Sequence, residues 1–151
     1  MALLTRTACA GLAAALVVGG CGGENRRVAY KDLTRDARAL EFTRITRGLF
    51  RDRGALRKVL ERNNPGRPIR LPDIDFARQS AYLVAAGPRS STGYVLRIVS
   101  VEDRGSEIVV EVREQTPSLG DPVAARVTYP FRLLALPRTD EPVKLKWLGR
   151  P

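Results

Sequence analysis

After Asp75 the hydrophobic pattern turns to that of β-strands, and in several segments the apolar residues recur every second position, the spacing of half-buried strands. Ser80 to Ala86 is a short, largely apolar run. Tyr94, Leu96 and Ile98 then share one face, and the apolar phase jumps to Val101. A three-residue step in a two-residue period places a bulge near Val99 and Ser100. Asp103-Arg104-Gly105-Ser106 reads as a hairpin turn. Ile108, Val110 and Val112 alternate with Val109, Glu111 and Arg113, as one buried face requires. After a loop over 116–122 that holds two prolines and Gly120, Val127, Tyr129, Phe131 and Leu133 share a face. Pro130 lacks an N–H, so this strand is expected at an edge or a bulge. Val143, Leu145 and Trp147 alternate with Lys144 and Lys146 in a last strand.

Upstream the period changes. Ala55, Leu56, Val59 and Leu60 build one helical stripe behind Asp52, whose carboxylate can cap the free N–H groups of a first turn. Asn63-Asn64-Pro65-Gly66 ends the helix, and Pro68 and Pro72 keep the next stretch extended or turning. Asp32 to Leu40 reads as a short helix or irregular entry, and Glu41 to Leu49 as a short first strand. There is no internal repeat. The expected architecture is α+β: an N-terminal helix followed by a mostly antiparallel sheet, in a single small domain over 31–151.

The segment before this domain is of another kind. Ala8 to Gly20 is apolar but shorter than the roughly 20 residues a membrane span needs. It fits the apolar region of an export signal, with Arg6 upstream and small residues at Gly19 and Gly20. Val18-Gly19-Gly20-Cys21 resembles a bacterial lipoprotein signal. That resemblance implies that residues 1–20 are removed and that Cys21 is acylated. The protein is then extracytoplasmic and lipid-anchored to the bacterial membrane. An ordinary secretory signal with a coincidental cysteine is the alternative. Residues 21–30 read as a flexible tether, with Arg26 and Arg27 close to acidic headgroups. Cys9 would leave with the signal, so the mature chain could form no internal disulfide.

The chain carries 26 basic against 16 acidic residues, a net charge of +10. Such a balance favours anionic surroundings, or is simply a basic soluble surface. The arginines are spread along the chain, with no block resembling a nucleic-acid arm, and an exported protein would not meet the chromosome. There is no histidine, which excludes Ser-His-Asp and Cys-His catalysis and histidine-ligated zinc. No Ser-x-x-Lys occurs. The acidic pairs Asp73 with Asp75, Glu102 with Asp103, and Asp140 with Glu141 fall in turns, where solvated carboxylates are common. The loop over 87–93 precedes a strand, whereas a phosphate loop should open a helix. No catalytic, metal or cofactor site is assigned. Arg89, Ser90, Ser91 and Thr92, held away from the apolar face, are the candidates for contact with a partner.

The order of these features from Ile74 onward resembles the C-terminal domain of the PrcB family, the protease complex subunit proteins. The pieces are Ile74-Asp75-Phe76, the apolar strand ending at Gly87, and Gly93-Tyr94 followed by Leu96, Ile98 and Val101. Ile108-Val110-Val112, the Pro117, Gly120 and Val123 loop, Thr128-Tyr129-Pro130-Phe131, and Leu136-Pro137 complete the set. Thr92 stands where the family often has a first glycine. The resemblance implies a non-enzymatic, lipid-anchored module that serves an envelope protein or a protease complex, with no catalytic residue to carry over. Gly93, Tyr94, Tyr129 and Pro130 are its structural motif, and Tyr94 is expected to form one unit with the segment from Thr128 to Phe131. The alternative is an anchored binder of anionic envelope polymers or of the membrane surface through its arginines.

Overall fold

The computed structural model describes residues 25–37 and 40–149. Among them are strands β1 (Arg26–Arg27), β2 (Lys31–Asp32), β3 (Thr46–Phe50), β4 (Gln79–Ala85), β5 (Val95–Asp103), β6 (Ile108–Gln115), β7 (Phe131–Pro137) and β8 (Val143–Leu148), and helix α1 (Arg53–Asn63). They form two four-stranded sheets, in the orders β1-β5-β6-β8 and β2-β7-β4-β3. β6 and β8 run parallel, while the other neighbours are antiparallel.

This corrects the expected α+β arrangement. The protein is mostly β, three strands precede its one described helix, and the strands divide between two sheets rather than joining one. The cause lies in β4 and β7, at the centre of the second sheet. Ala81, Leu83 and Ala85 of β4, with Leu133 and Ala135 of β7, pack into a cluster that holds Leu56 and Leu60 of α1. The residues between them point the other way. Tyr82, Val84, Leu134 and Leu136 pack against Leu96, Val101, Val110 and Val112 of the first sheet. Strands buried on both faces read as continuous apolar runs rather than as alternation. The second sheet is therefore the middle layer, with α1 on one side and the first sheet on the other.

The helix itself forms as its sequence dictates. Asp52 has extended backbone, φ −144° and ψ 156°, and its carboxylate accepts the Ala55 N–H at 2.7 Å. At the other end the buried Asn64 donates to the Leu60 carbonyl at 3.0 Å and accepts the Glu41 N–H at 2.7 Å. One side chain thus closes the last turn and ties it to the preceding segment. The expected first strand over 41–49 is shorter and later, beginning at Thr46. Phe42 is instead fully buried ahead of it, its ring 5.4 Å from that of Phe131. Where the sequence predicts a short helix or irregular entry from Asp32, Lys31 and Asp32 pair with β7 and a turn follows over 34–36.

The expected tether also ends earlier than residue 30. Arg26 and Arg27 form β1 against Asp103 and Glu102 of β5, and the Val28 N–H donates to the Val101 carbonyl at 2.8 Å. Arg26 meets the Asp103 carboxylate at 2.7 Å. The Gly105 N–H and then Arg26 hold that carboxyl below its ordinary value. The bulge falls between Ile98 and Ser100, as the phase slip indicates, and leaves Val99 facing solvent. The hairpin closes through Arg104 N–H to the Glu107 carbonyl, with Gly105 at φ 84° in the left-handed region that glycine tolerates. The expected strand from Val127 starts only at Phe131, and Val127 is 59% exposed. Pro130 sits just ahead of a central strand, not on an edge strand. Its missing N–H is no loss there, and its carbonyl accepts from Ala86 at 3.0 Å.

Tyr82 is 2% exposed between the sheets, and burial pushes its phenol up to about 12, offset only partly by Arg47. The folded state resists deprotonation, so the stability this group confers is intact below pH 10. It is lost as the pH rises from about 10 to about 12, by roughly 2–3 kcal/mol in total. Tyr82→Phe should flatten that alkaline decline in urea titrations run at stepped pH. An unchanged slope would mean that the phenol is not the responsible group.

Candidate functional site

The two sheets are open along one side. β8 is the edge of the first and β3 the edge of the second, and no further strand covers either among the described residues. The gap between them forms a cleft of about 480 Å³. Its walls are Ile45 and Arg47 on the β3 side and Leu145 and Trp147 on β8, above a floor of Ala86. A second lobe of about 350 Å³ continues along the same side past Gly48, Tyr82 and Val143, sharing Arg47 and Leu145. Alternation along β8 makes this face: Leu145 and Trp147 turn inward at the edge while Lys144 and Lys146 turn out. The lysines pair with Glu107 and with Glu111, the latter at 2.7 Å.

An ion pair, Arg89 with Glu114, also lines the cleft. Glu114 is on β6 in phase with Ile108, Val110 and Val112, so its side chain points inward, where it is 0% exposed. Arg89 meets it with two parallel bonds, Nε to Oε1 at 2.5 Å and Nη2 to Oε2 at 2.7 Å. Its remaining nitrogen, Nη1, donates to the carbonyls of Ala86 at 3.1 Å and Pro88 at 2.9 Å. The guanidinium also lies 5.9 Å from the centre of the Tyr94 ring. The bonds to Glu114, foremost among these influences, hold the Arg89 guanidinium above its already high ordinary value. A charge this well satisfied organises its surroundings and is not free for a ligand.

The loop proposed for partner contact is correspondingly braced. Arg89 and Thr128 exchange both backbone hydrogen bonds, at 2.8 and 2.9 Å. The Thr128 hydroxyl donates to the Ser91 carbonyl at 2.7 Å, and the Thr92 hydroxyl accepts the Ala124 N–H at 3.0 Å. Ser90 alone of the four is exposed. Tyr94, Tyr129 and Pro130 are half-buried and lie outside both core clusters. Arg89 is the link between Tyr94 and Thr128. Cys21 lies outside the described residues. Among those residues no group of three or more histidines, cysteines and carboxylates is placed to hold a metal, and no helix is long and apolar enough to cross a membrane.

Gly93 has a steric reason to be glycine. A Cβ there would stand 2.5 Å from Pro117 Cβ and 2.7 Å from Val123 Cγ1. Gly93→Ala should therefore cost about 1–3 kcal/mol as the 117–123 loop is pushed away. Thermal denaturation checks this, and an unchanged midpoint would show that the loop is free to move.

The sequence reading missed Ile45, Arg47, Glu114, Leu145 and Trp147 as site residues. One signal was available. Position 114 continues the inward phase of 108, 110 and 112, and a carboxylate on a buried phase demands a partner. Nothing along the chain says that this partner is Arg89.

Compared with known proteins, residues 81–137 match the family model described as PrcB C-terminal. No curated protein and no solved structure gives a significant match. The matched segment runs from β4 through β7, the inner strands of both sheets, and includes Arg89, Gly93, Tyr94 and Glu114. The cleft walls Ile45, Arg47, Leu145 and Trp147 lie outside it.

Proposed function

We propose that this chain, which carries the PrcB C-terminal pattern over residues 81–137, is a lipid-anchored, non-enzymatic accessory module of an extracytoplasmic protease complex. The partner is a protein, and it docks in the cleft between β3 and β8. The observation that carries this reading is the chemistry of that cleft. Trp147, Leu145 and a 72%-exposed Ile45 surround a concave apolar surface, with Arg47 beside it. Among the described residues Arg47 has no carboxylate within salt-bridge distance, whereas Arg89 is neutralised internally. An apolar side chain of the partner fills the cleft and a neighbouring carboxylate reaches Arg47. The outer edges of β3 and β8 offer backbone donors and acceptors to an extended segment, as in strand addition.

Among the described residues that line this cleft the one carboxylate is that of Glu114, and both its oxygens are engaged by Arg89. Val18-Gly19-Gly20-Cys21 supports anchoring, since two long acyl chains at roughly 0.8 kcal/mol per buried methylene hold a protein almost permanently. The test uses the full-length protein in its own membranes. Wild type should fractionate with the membrane and Cys21→Ser should not. The protease complex should survive a wash in about 0.5 M salt, where exposed charge contacts are screened, before it is crosslinked for recovery. Identical fractionation of the two proteins would contradict the anchor. Release of the partner by salt alone would favour binding to an anionic polymer.

A further inference from the structure

The lipid and the Trp147 lobe of the cleft belong to opposite ends of the sandwich. β1 pairs through Arg26 with Asp103, so the chain enters the fold beside the β5–β6 hairpin turn. Ile108, where β6 leaves that turn, borders the hollow under β1. Glu114, six residues further along β6, lines the cleft. At about 3.4 Å per residue the two lie roughly 20 Å apart along the strand. Only four residues separate Cys21 from Arg26, a distance of five residue steps. Fully extended, they span at most about 17 Å. An acylated Cys21 therefore keeps the hairpin end of the domain close to the bilayer.

That end is basic. Arg26, Arg27, Arg138, Thr139 and Glu141 line one hollow, and Tyr30, Lys31 and Arg78 line the next, the two meeting at Ala29 and Pro137. Arg51 joins them, donating from Nε to the Thr139 carbonyl at 3.1 Å. Arg138 Nη1 donates to the carbonyls of Arg51, at 3.2 Å, and Phe76, at 2.5 Å. Arg26 is paired with Asp103 and Arg78 with Asp75. Arg27, Lys31, Arg51 and Arg138 are exposed and have no carboxylate within salt-bridge distance among the described residues. Asp140 and Glu141, in the same loop as Arg138, offset part of this charge. Tyr30, 41% exposed beside Lys31, adds an amphipathic ring of the kind that settles at a headgroup layer.

We infer that this end, built from β1, β2, the start of β4 and the 138–141 loop, is a docking surface for the anionic headgroups of the bilayer. The inference rests on the lipid-anchor reading above. It sets the orientation of the molecule: the domain lies against the membrane by its basic end and presents the Trp147 lobe of the β3–β8 cleft away from it. The short leash and the charge act together, because one supplies proximity and the other chooses the face.

Trp147 is the chain's one tryptophan and lies on the far end, so it reports orientation directly. The full-length acylated protein is reconstituted on vesicles of phosphatidylglycerol and phosphatidylcholine that carry a headgroup quencher. Trp147 emission should be unaffected. A Tyr30→Trp protein that also carries Trp147→Phe should be quenched. Adding Arg27→Gln and Lys31→Gln should lower the equilibrium constant for this contact about 25-fold, at about five-fold per cation. Phosphatidylcholine vesicles alone should give a loss at least as large. Quenching of Trp147, or equal quenching at position 30 on neutral vesicles, overturns the inference. So does displacement by soluble polyphosphate beyond that by sodium chloride of equal ionic strength, which would mark a polymer site. If the wild-type protein floats with neither vesicle, the anchor reading fails first and takes this surface with it.

Discussion

Replacing either Leu133 or Leu134 with alanine should destabilise the protein by about 2–5 kcal/mol, although the two are neighbours on one strand. In a sheet with one solvated face, adjacent residues point to opposite sides, and one of the two truncations would cost under about 0.5 kcal/mol. Here both side chains are 0% exposed. Leu133 packs with Leu56 and Leu60 of α1, and Leu134 packs with Val110 and Val112 of the first sheet. Chemical denaturation of the two single variants and the double variant measures this. Near-additive losses are expected, because the two sites belong to separate clusters. A near-silent Leu134→Ala would mean that the first sheet does not cover β7.

The second large effect should come from the ion pair. Arg89→Ala leaves the Glu114 carboxylate buried with no cation, and breaking such a pair from one side costs about 3–5 kcal/mol. The same change removes the ties to Ala86 and Pro88 and the contact with Tyr94, so the 87–93 loop should loosen first. Amide exchange at Thr128, whose N–H donates to the Arg89 carbonyl, reports that loosening. Arg89→Met combined with Glu114→Met should recover most of the loss, since an apolar pair of similar volume has no charge to desolvate. If the double variant is as unstable as Arg89→Ala, the site depends on packing around the guanidinium and not on charge. Tyr94→Ala should be milder than the truncation of a core aromatic, because the ring is half-buried and outside both clusters.

Local features were legible in the sequence. Asp52 and the 55, 56, 59, 60 stripe identify α1, because a cap and a 3.6-residue period are properties of neighbouring residues. The slip from Ile98 to Val101 marks the bulge for the same reason. The division into two sheets was encoded differently. The unbroken runs Ala81 to Ala86 and Leu133 to Leu136 state double-faced burial, in contrast to the strict alternation of β8. Alternation alone tells only which strands have one wet face. The short pairings of β1 and β2 carry no apolar signal, so Arg26 and Arg27 resemble tether residues until β5 is seen beside them.

The site was less legible than the fold. Arg89 and Glu114 are 25 positions apart, and Ile45, just ahead of β3, and Trp147, on β8, stand at the edges of different sheets. Only the stacking of the layers brings them to one cleft. The same stacking turns Arg89, which by sequence is an exposed contact, into an internal brace. It leaves Arg47, an unremarkable arginine in the chain, as the charge available beside the cleft.

The central claim, that a protein partner occupies the β3–β8 cleft of the anchored protein, is tested most directly by photo-crosslinking from within it. A photoreactive residue replaces Ile45 in the full-length protein in its native membrane, with Arg62 on the helix as the control position. The account predicts one discrete adduct, containing a protease-complex component, from position 45 and none from position 62. The adduct should fall sharply with Arg47→Glu while the melting midpoint is unchanged. Adducts from position 62 instead of 45, or an adduct from 45 that is indifferent to Arg47→Glu, would contradict it.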